Sequence, residues 1–155
     1  MEKSRQQRIK ALKKALKKEE EYLVKCKEYN KDKDFIDSVE VSFDPNLDVS
    51  AKTVNEEIFL NDKLFDKSWK EQMRYIIHEM VHVMQQEAGK VEGKVDKDDY
   101  LDDENEIEAF TAQISYMCEN GTPEEVQEYI ENLLDHHDVK GKERKEKAKK
   151  LTEDL

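Results

Sequence analysis

Tyr75-Ile76-Ile77-His78-Glu79-Met80-Val81-His82-Val83-Met84 is the stretch on which the reading of this chain turns. Trp69, Met73, Ile76, Ile77, Met80 and Met84 recur at helical spacing, with Ser68 as a cap and Gly89 as a stop. The pattern predicts a helix with Trp69 as a core anchor. His78 and His82, at i and i+4, then stand one above the other on one face, so both imidazoles can reach a single metal ion. Glu79, beside the first histidine, is placed to act on a water at the metal rather than on the metal itself.

Catalytic zinc takes three protein ligands and keeps a fourth position for water, so a third ligand is needed. The sequence has four histidines, and the other two are the adjacent pair His136-His137 near a helix end, where imidazolium complements the helix dipole. A longer motif with a third histidine would need Gly and His at positions occupied by Gln85 and Ala88. A glutamate from the next helix, about Asp103 to Glu119, is the remaining solution. The buried face of that helix is set by Ile107, Phe110, Ile114 and Met117, and Glu106 lies on its flank with Ala109 and Gln113. A small residue at 109 lets two helices approach closely, as a shared metal requires. Glu106 is therefore the favoured third ligand, with Glu104 and Glu108 as alternatives. One Zn2+ per chain is expected.

Outward from this core, Ile9, Leu12, Leu16, Leu23 and Cys26 give an amphipathic helix from about Ser4 to Tyr29. Phe35, Asp37, Val39, Val41 and Phe43 alternate as in a half-buried strand, and a second extended stretch runs from about Thr53 to Asn61. Asn61–Lys67 reads as a loop, and residues 90–103, with five aspartates, as a mobile one. Thr122-Pro123-Glu124-Glu125 starts a helix that runs to about Asp135. The Lys/Glu-rich tail beyond Val139 has almost no apolar face and reads as frayed or disordered. The expected class is α+β, a small antiparallel or mixed sheet on an active-site helix and a glutamate helix. Three segments follow: an N-terminal helix over 1–34, a domain over 35–138 and a charged tail over 139–155.

The net charge of -11 is uneven. Residues 1–18 carry eight Lys/Arg against Glu2, and residues 140–150 carry seven against Glu143 and Glu146, so the body between is strongly acidic. Such a body repels phosphate, which argues against nucleic acid as a partner. No stretch approaches the roughly 20 apolar residues that span a bilayer, so no membrane partner is expected. The N-terminus has no 7–15-residue apolar run of a signal peptide. Cys26 and Cys118 form no CxxC pair. Cys118 reads as a small buried hydrophobe, and a cytoplasmic setting is expected. Composition says nothing of oligomeric state.

HExxH followed by Glu106-Ile107-Glu108-Ala109 resembles the gluzincin metallopeptidases. Ile58-Phe59-Leu60-Asn61, a polar loop and then Tyr75 to His82 is similar to their compact ImmA/IrrE-type members. The resemblance covers about residues 54–118 and implies a zincin-like fold and a zinc peptidase acting on a protein or peptide. Glu79 would take a proton from a zinc-activated water, and Ile58, Phe59 and Leu60 would line the substrate cleft as an edge strand. Tyr100, Tyr116 and His136 are candidate oxyanion donors. Relatives carry Asp or Asn after the motif's alanine to hold a histidine, where this chain has Phe110. Asp102, Asp103 and Asn105 are candidates for that task. The alternative is a metallopeptidase-like binding or regulatory module with little or no catalysis.

Overall fold

The computed structural model describes residues 2–89, 104–136 and 139–152. The chain is α+β, with a three-stranded mixed sheet among eight helices of the described residues. The central helix α5, Trp69–Glu87, carries the histidine pair. Ser68 caps it, its Oγ accepting from the Glu71 N–H at 3.3 Å. Gly89 ends it at φ 81°, a left-handed conformation that glycine adopts without strain. Every residue of α5 from Ile76 to Gln85 is buried, so the helix is enclosed on all sides. Trp69, by contrast, is 48% exposed at the first position of the helix and anchors no core.

The single N-terminal helix expected from the sequence is two, α1 (Glu2–Leu16) and α2 (Glu20–Glu28). Leu12, Leu16, Tyr22 and Cys26 enter the same core as α5. Residues 35–38 are not strand but a helical turn, α3 (Phe35–Ser38). The Tyr22 hydroxyl pins it, accepting from the Ile36 N–H at 3.0 Å and donating to the Lys33 carbonyl at 2.8 Å. That tertiary clamp overrides a period-two alternation which only β1 (Val41–Phe43) obeys.

The second extended stretch is a hairpin of β2 (Ala51–Val54) and β3 (Glu57–Leu60). Asn55 and Glu56 turn it with φ of 49° and 65°, the two left-handed residues of a tight hairpin loop. The sheet order is β1-β3-β2, with β1 parallel and β2 antiparallel to β3. β3 is thus the central strand, with Ile58 and Leu60 fully buried. A short helix α4 (Asp62–Phe65) replaces the expected loop, capped by the Asn61 side chain, which accepts from the Lys63 N–H at 2.9 Å.

Helix α6 (Glu104–Asn120) has two buried faces. Ala109, Ala112 and Tyr116 join the core of α5 and the sheet. Phe110, Ile114 and Met117 join a second core with α7 (Pro123–His136) and α8 (Gly141–Thr152). Ile107 is only half-buried. Thr122 caps α7, its Oγ1 accepting from the Glu125 N–H at 3.2 Å. The tail expected to be disordered is instead α8: Val139 and Leu151 are buried against α6 and α7, and Lys147 lays its stem along the same face. Cys118 is exposed, contrary to the buried role expected for it, while Cys26 is buried. The acidic loop expected over 90–103 lies outside the described residues. No helix among the described residues is long and apolar enough to cross a membrane.

Because Leu151 is only 1% exposed, Leu151→Ala is expected to cost about 2–4 kcal/mol in urea unfolding. An unchanged midpoint would mean that α8 does not pack.

Candidate metal centre

His78 and His82 project from one face of α5 towards α6, where Glu106 faces them from the first turn. His82 Nε2 lies 2.9 Å from Glu106 Oε1 and 3.3 Å from His78 Nε2, and His78 Nε2 lies 3.3 Å from the same carboxylate oxygen. Ligands about 2.0–2.1 Å from a tetrahedral zinc sit roughly 3.3–3.4 Å apart, so this triangle matches three corners of such a site. The two nitrogens and the oxygen are the donor types zinc takes. Among the described residues this is the group of three that could hold a metal ion.

The other glutamates of α6 are engaged differently. Glu104 is exposed at the start of the helix. Glu108 points away from Glu106, and its carboxylate accepts hydrogen bonds from Lys25, Tyr29 and Gln85. Of these three glutamates, Glu106 is the one that groups with the two histidines.

Each histidine is held at its other nitrogen by a glutamine. His78 Nδ1 is 2.9 Å from Gln113 Oε1, and the Gln113 amide donates to the Tyr129 hydroxyl at 2.9 Å. His82 Nδ1 is 2.9 Å from Gln85 Oε1. Gln85 and Gln113 are almost fully buried. Gln113 thus supplies the hold on His78 that was sought at position 110, from one turn further along α6. Phe110 instead sets its ring edge-to-face against His78, with centroids 4.6 Å apart. Of the candidates for that task, Asn105 meets Gln85 through its main-chain carbonyl at 2.9 Å. Asp102 and Asp103 lie outside the described residues. Gln113 shares the flank of Glu106 at i+7, the signal in the sequence that could have found it. Gln85 is i+3 from His82.

Glu79 is 8% exposed and turns to the sheet side of α5. The Thr53 hydroxyl of β2 lies 2.8 Å from its Oε1 and 3.1 Å from its carbonyl oxygen, fixing the carboxylate against the hairpin. The remaining expected residues are placed elsewhere. Ile58 and Leu60 are in the core, and both edges of β3 are taken by β1 and β2, so this strand offers no edge to a peptide. The expectation fails because the hairpin folds β2 onto the side that an isolated extended stretch would have left open. Tyr116 is buried in the core behind α6, and His136 is exposed in the last turn of α7. Tyr100 and His137 lie outside the described residues.

Burial disfavours the His82 cation, but the Glu106 carboxylate at 2.9 Å and nearby Glu79 outweigh that and push its pKa up to about 9. Burial likewise disfavours ionised Glu106, but hydrogen bonds from both histidines hold it down at about 2. In the metal-free chain His82 stabilises the fold fully below its ordinary 6.5, a contribution lost as pH rises through about 9. Glu106 contributes above its ordinary 4.5 and loses this as pH falls towards about 2.

Residues 37–90 match the family model described as the eCIS core domain. The match covers about a third of the chain, from α3 through the sheet and α5. It includes His78, Glu79, His82 and Gln85 and stops before Glu106 and Gln113. No curated protein and no solved structure matches the chain.

Glu106→Ala is expected to weaken zinc binding by more than about 100-fold, beyond the 10–100-fold range of an outer-shell change, while Glu104→Ala binds as wild type. Metal analysis after dialysis against a weak chelator checks both. Because His82 carries a proton below about pH 9, zinc binding near pH 7.5 is expected to release about one proton per ion, falling towards none above that pKa. Calorimetry in buffers of different ionisation heat reads that number, and no release at pH 7.5 would contradict the His82–Glu106 ion pair.

Proposed function

We propose that this chain is a zinc-dependent metallopeptidase of the gluzincin type, hydrolysing peptide bonds in a protein or peptide substrate. The observation that carries the reading is the convergence of His78, His82 and Glu106 within 4.8 Å of one another, with Glu79 on the same helix one residue from a ligand. The match of residues 37–90 to the eCIS core domain, a zincin-like family, supports it over the segment that holds both histidines and Glu79.

His78 Nε2, His82 Nε2 and Glu106 Oε1 would hold the zinc, and the chemistry it supplies is polarisation of a carbonyl and acidification of water. The chain's own residues do the rest. Glu79 is the general base: with Oε1 tied to Thr53, its Oε2 takes the proton of the attacking water and returns it to the leaving amine. Holding one oxygen spares the carboxylate a rotational search at the moment of transfer. Gln85 and Gln113 keep a hydrogen on Nδ1 of each histidine, so that Nε2 presents its lone pair to the ion.

Of the two edge strands, β2 is the one that contacts Glu79 and so the one beside which an extended substrate would lie. Its inner edge pairs with β3, and no strand pairs with its outer edge among the described residues. A peptide added there gains main-chain hydrogen bonds beside the residue that grips Glu79, which gives affinity with little sequence preference.

Glu79→Gln keeps the size and the Thr53 contact but cannot accept the proton. It is expected to lower kcat on a denatured-protein or mixed-peptide substrate by about 10²–10⁴-fold while zinc content stays at one per chain. Undiminished hydrolysis ends the peptidase reading; zinc-replete wild type inert on a broad peptide library supports a binding module instead.

A further inference from the structure

Glu108 is no ligand, yet it joins the N-terminal helices to the metal centre. Its Oε1 accepts from Gln85 Nε2 and from the Tyr29 hydroxyl, each at 2.7 Å, and its Oε2 accepts from Lys25 Nζ at 2.7 Å. Lys25 and Tyr29 both lie at the end of α2, where the chain is locked. Asn30 takes a left-handed φ of 58°, with its N–H on the Lys27 carbonyl and the Lys31 N–H on the Cys26 carbonyl. That closure fixes the direction in which Tyr29 leaves the helix.

The consequence falls on Gln85, which is fully buried. Its amide nitrogen donates to Glu108 Oε1 and to the Asn105 carbonyl at 2.9 Å. Both partners only accept, so the amide cannot turn over, and its oxygen must face His82 Nδ1. His82 Nδ1 must therefore carry a hydrogen, and Nε2 is the nitrogen left to bind a metal. Without Glu108 the amide keeps one anchor. Turned over, it would offer N–H to Nδ1, draw the ring's hydrogen to Nε2 and block the site.

We propose that Lys25, Tyr29 and Glu108 are positioning residues of the metal centre, acting on His82 through Gln85, so that α2 is a working part of the site. The proposal rests on the reading of His78, His82 and Glu106 as metal ligands. Lys25, Tyr29 and Glu108 all fall outside the residues that match the eCIS core domain, whereas Gln85 and His82 fall inside.

Titration of the full chain with cobalt(II) tests it, since one visible spectrum reports both affinity and ligand geometry. Glu108→Ala is expected to weaken cobalt binding about 10–100-fold and to alter the d–d bands, and Tyr29→Phe and Lys25→Met to cost about 3–10-fold each. Lys25→Arg should restore most of the affinity. In a Gln85→Leu background, Glu108→Ala should cost no further affinity while still lowering the Tm, because its path to His82 is already cut. Wild-type affinity and bands in Glu108→Ala, or full additivity in the double variant, would overturn the proposal. Tyr29→Phe removes one hydroxyl and leaves its ring, so it reads the same path if Glu108→Ala fails to fold. A wild-type chain that takes up neither cobalt nor zinc overturns the metal centre itself, an outcome distinct from normal uptake in the variants.

Discussion

Close packing of α6 along α5 is the interaction on which the site depends, and Ala109 makes it possible. Ala109 is fully buried, and it lies between Glu106 and Gln113 on the flank of α6 that reaches α5. A larger side chain there would push the helices apart and open the 2.9 Å and 3.3 Å separations at which one ion could meet all three side chains. The same contact sets two grips two turns apart: Glu106 takes the inner nitrogens of the histidines, and Gln113 takes the outer nitrogen of His78. Helix α6 is itself wedged between two cores, because Phe110, Ile114 and Met117 bind it to α7 and α8 on its other side. The terminal helices therefore hold α6 against α5, although none of them supplies a ligand.

The sheet performs a similar service for Glu79. The two-residue turn at Asn55 and Glu56 fixes the register Thr53↔Ile58, which puts Thr53 on the inner face. A slip of one residue would turn Thr53 to solvent and bring Lys52 or Val54 inward. The Glu79 carboxylate is thus placed by a hairpin more than twenty residues away in sequence, through one hydroxyl contact of 2.8 Å.

Long periodic patterns and side-chain chemistry were legible in the sequence. The α5 helix with its cap and glycine stop, α6, α7 and the placing of Glu106 beside the two histidines all followed from spacing. What escaped was set by contacts between distant segments. Phe35–Ser38 alternates like a strand, but the Tyr22 hydroxyl holds it as a turn. The hairpin turn uses Asn-Glu without the glycine that usually marks one, so two strands read as one stretch and β3 passed for an edge. Trp69 has the spacing of a core residue, yet the first turn of α5 overhangs the domain. Helix α8 buries Leu151, the stem of Lys147 and part of Ala148 beside Val139, too few apolar positions to stand out in a 12-residue helix rich in charge. Gln113 shares the flank of Glu106, but the role of either glutamine becomes readable only once the histidine it meets is known, because a buried glutamine can serve many partners.

The choice of amides to back the histidines has an electronic consequence. A carboxylate in either place would lend negative charge to the imidazole and make its inner nitrogen a stronger donor. An amide oxygen offers only a dipole. Within the ligand set Glu106 alone is anionic, so a divalent ion held there would keep one of its two charges uncancelled. Such an ion is a harder Lewis acid and exchanges more readily than one bound by carboxylate-backed histidines. The same buried glutamines that make the centre rigid therefore leave its occupant electron-poor.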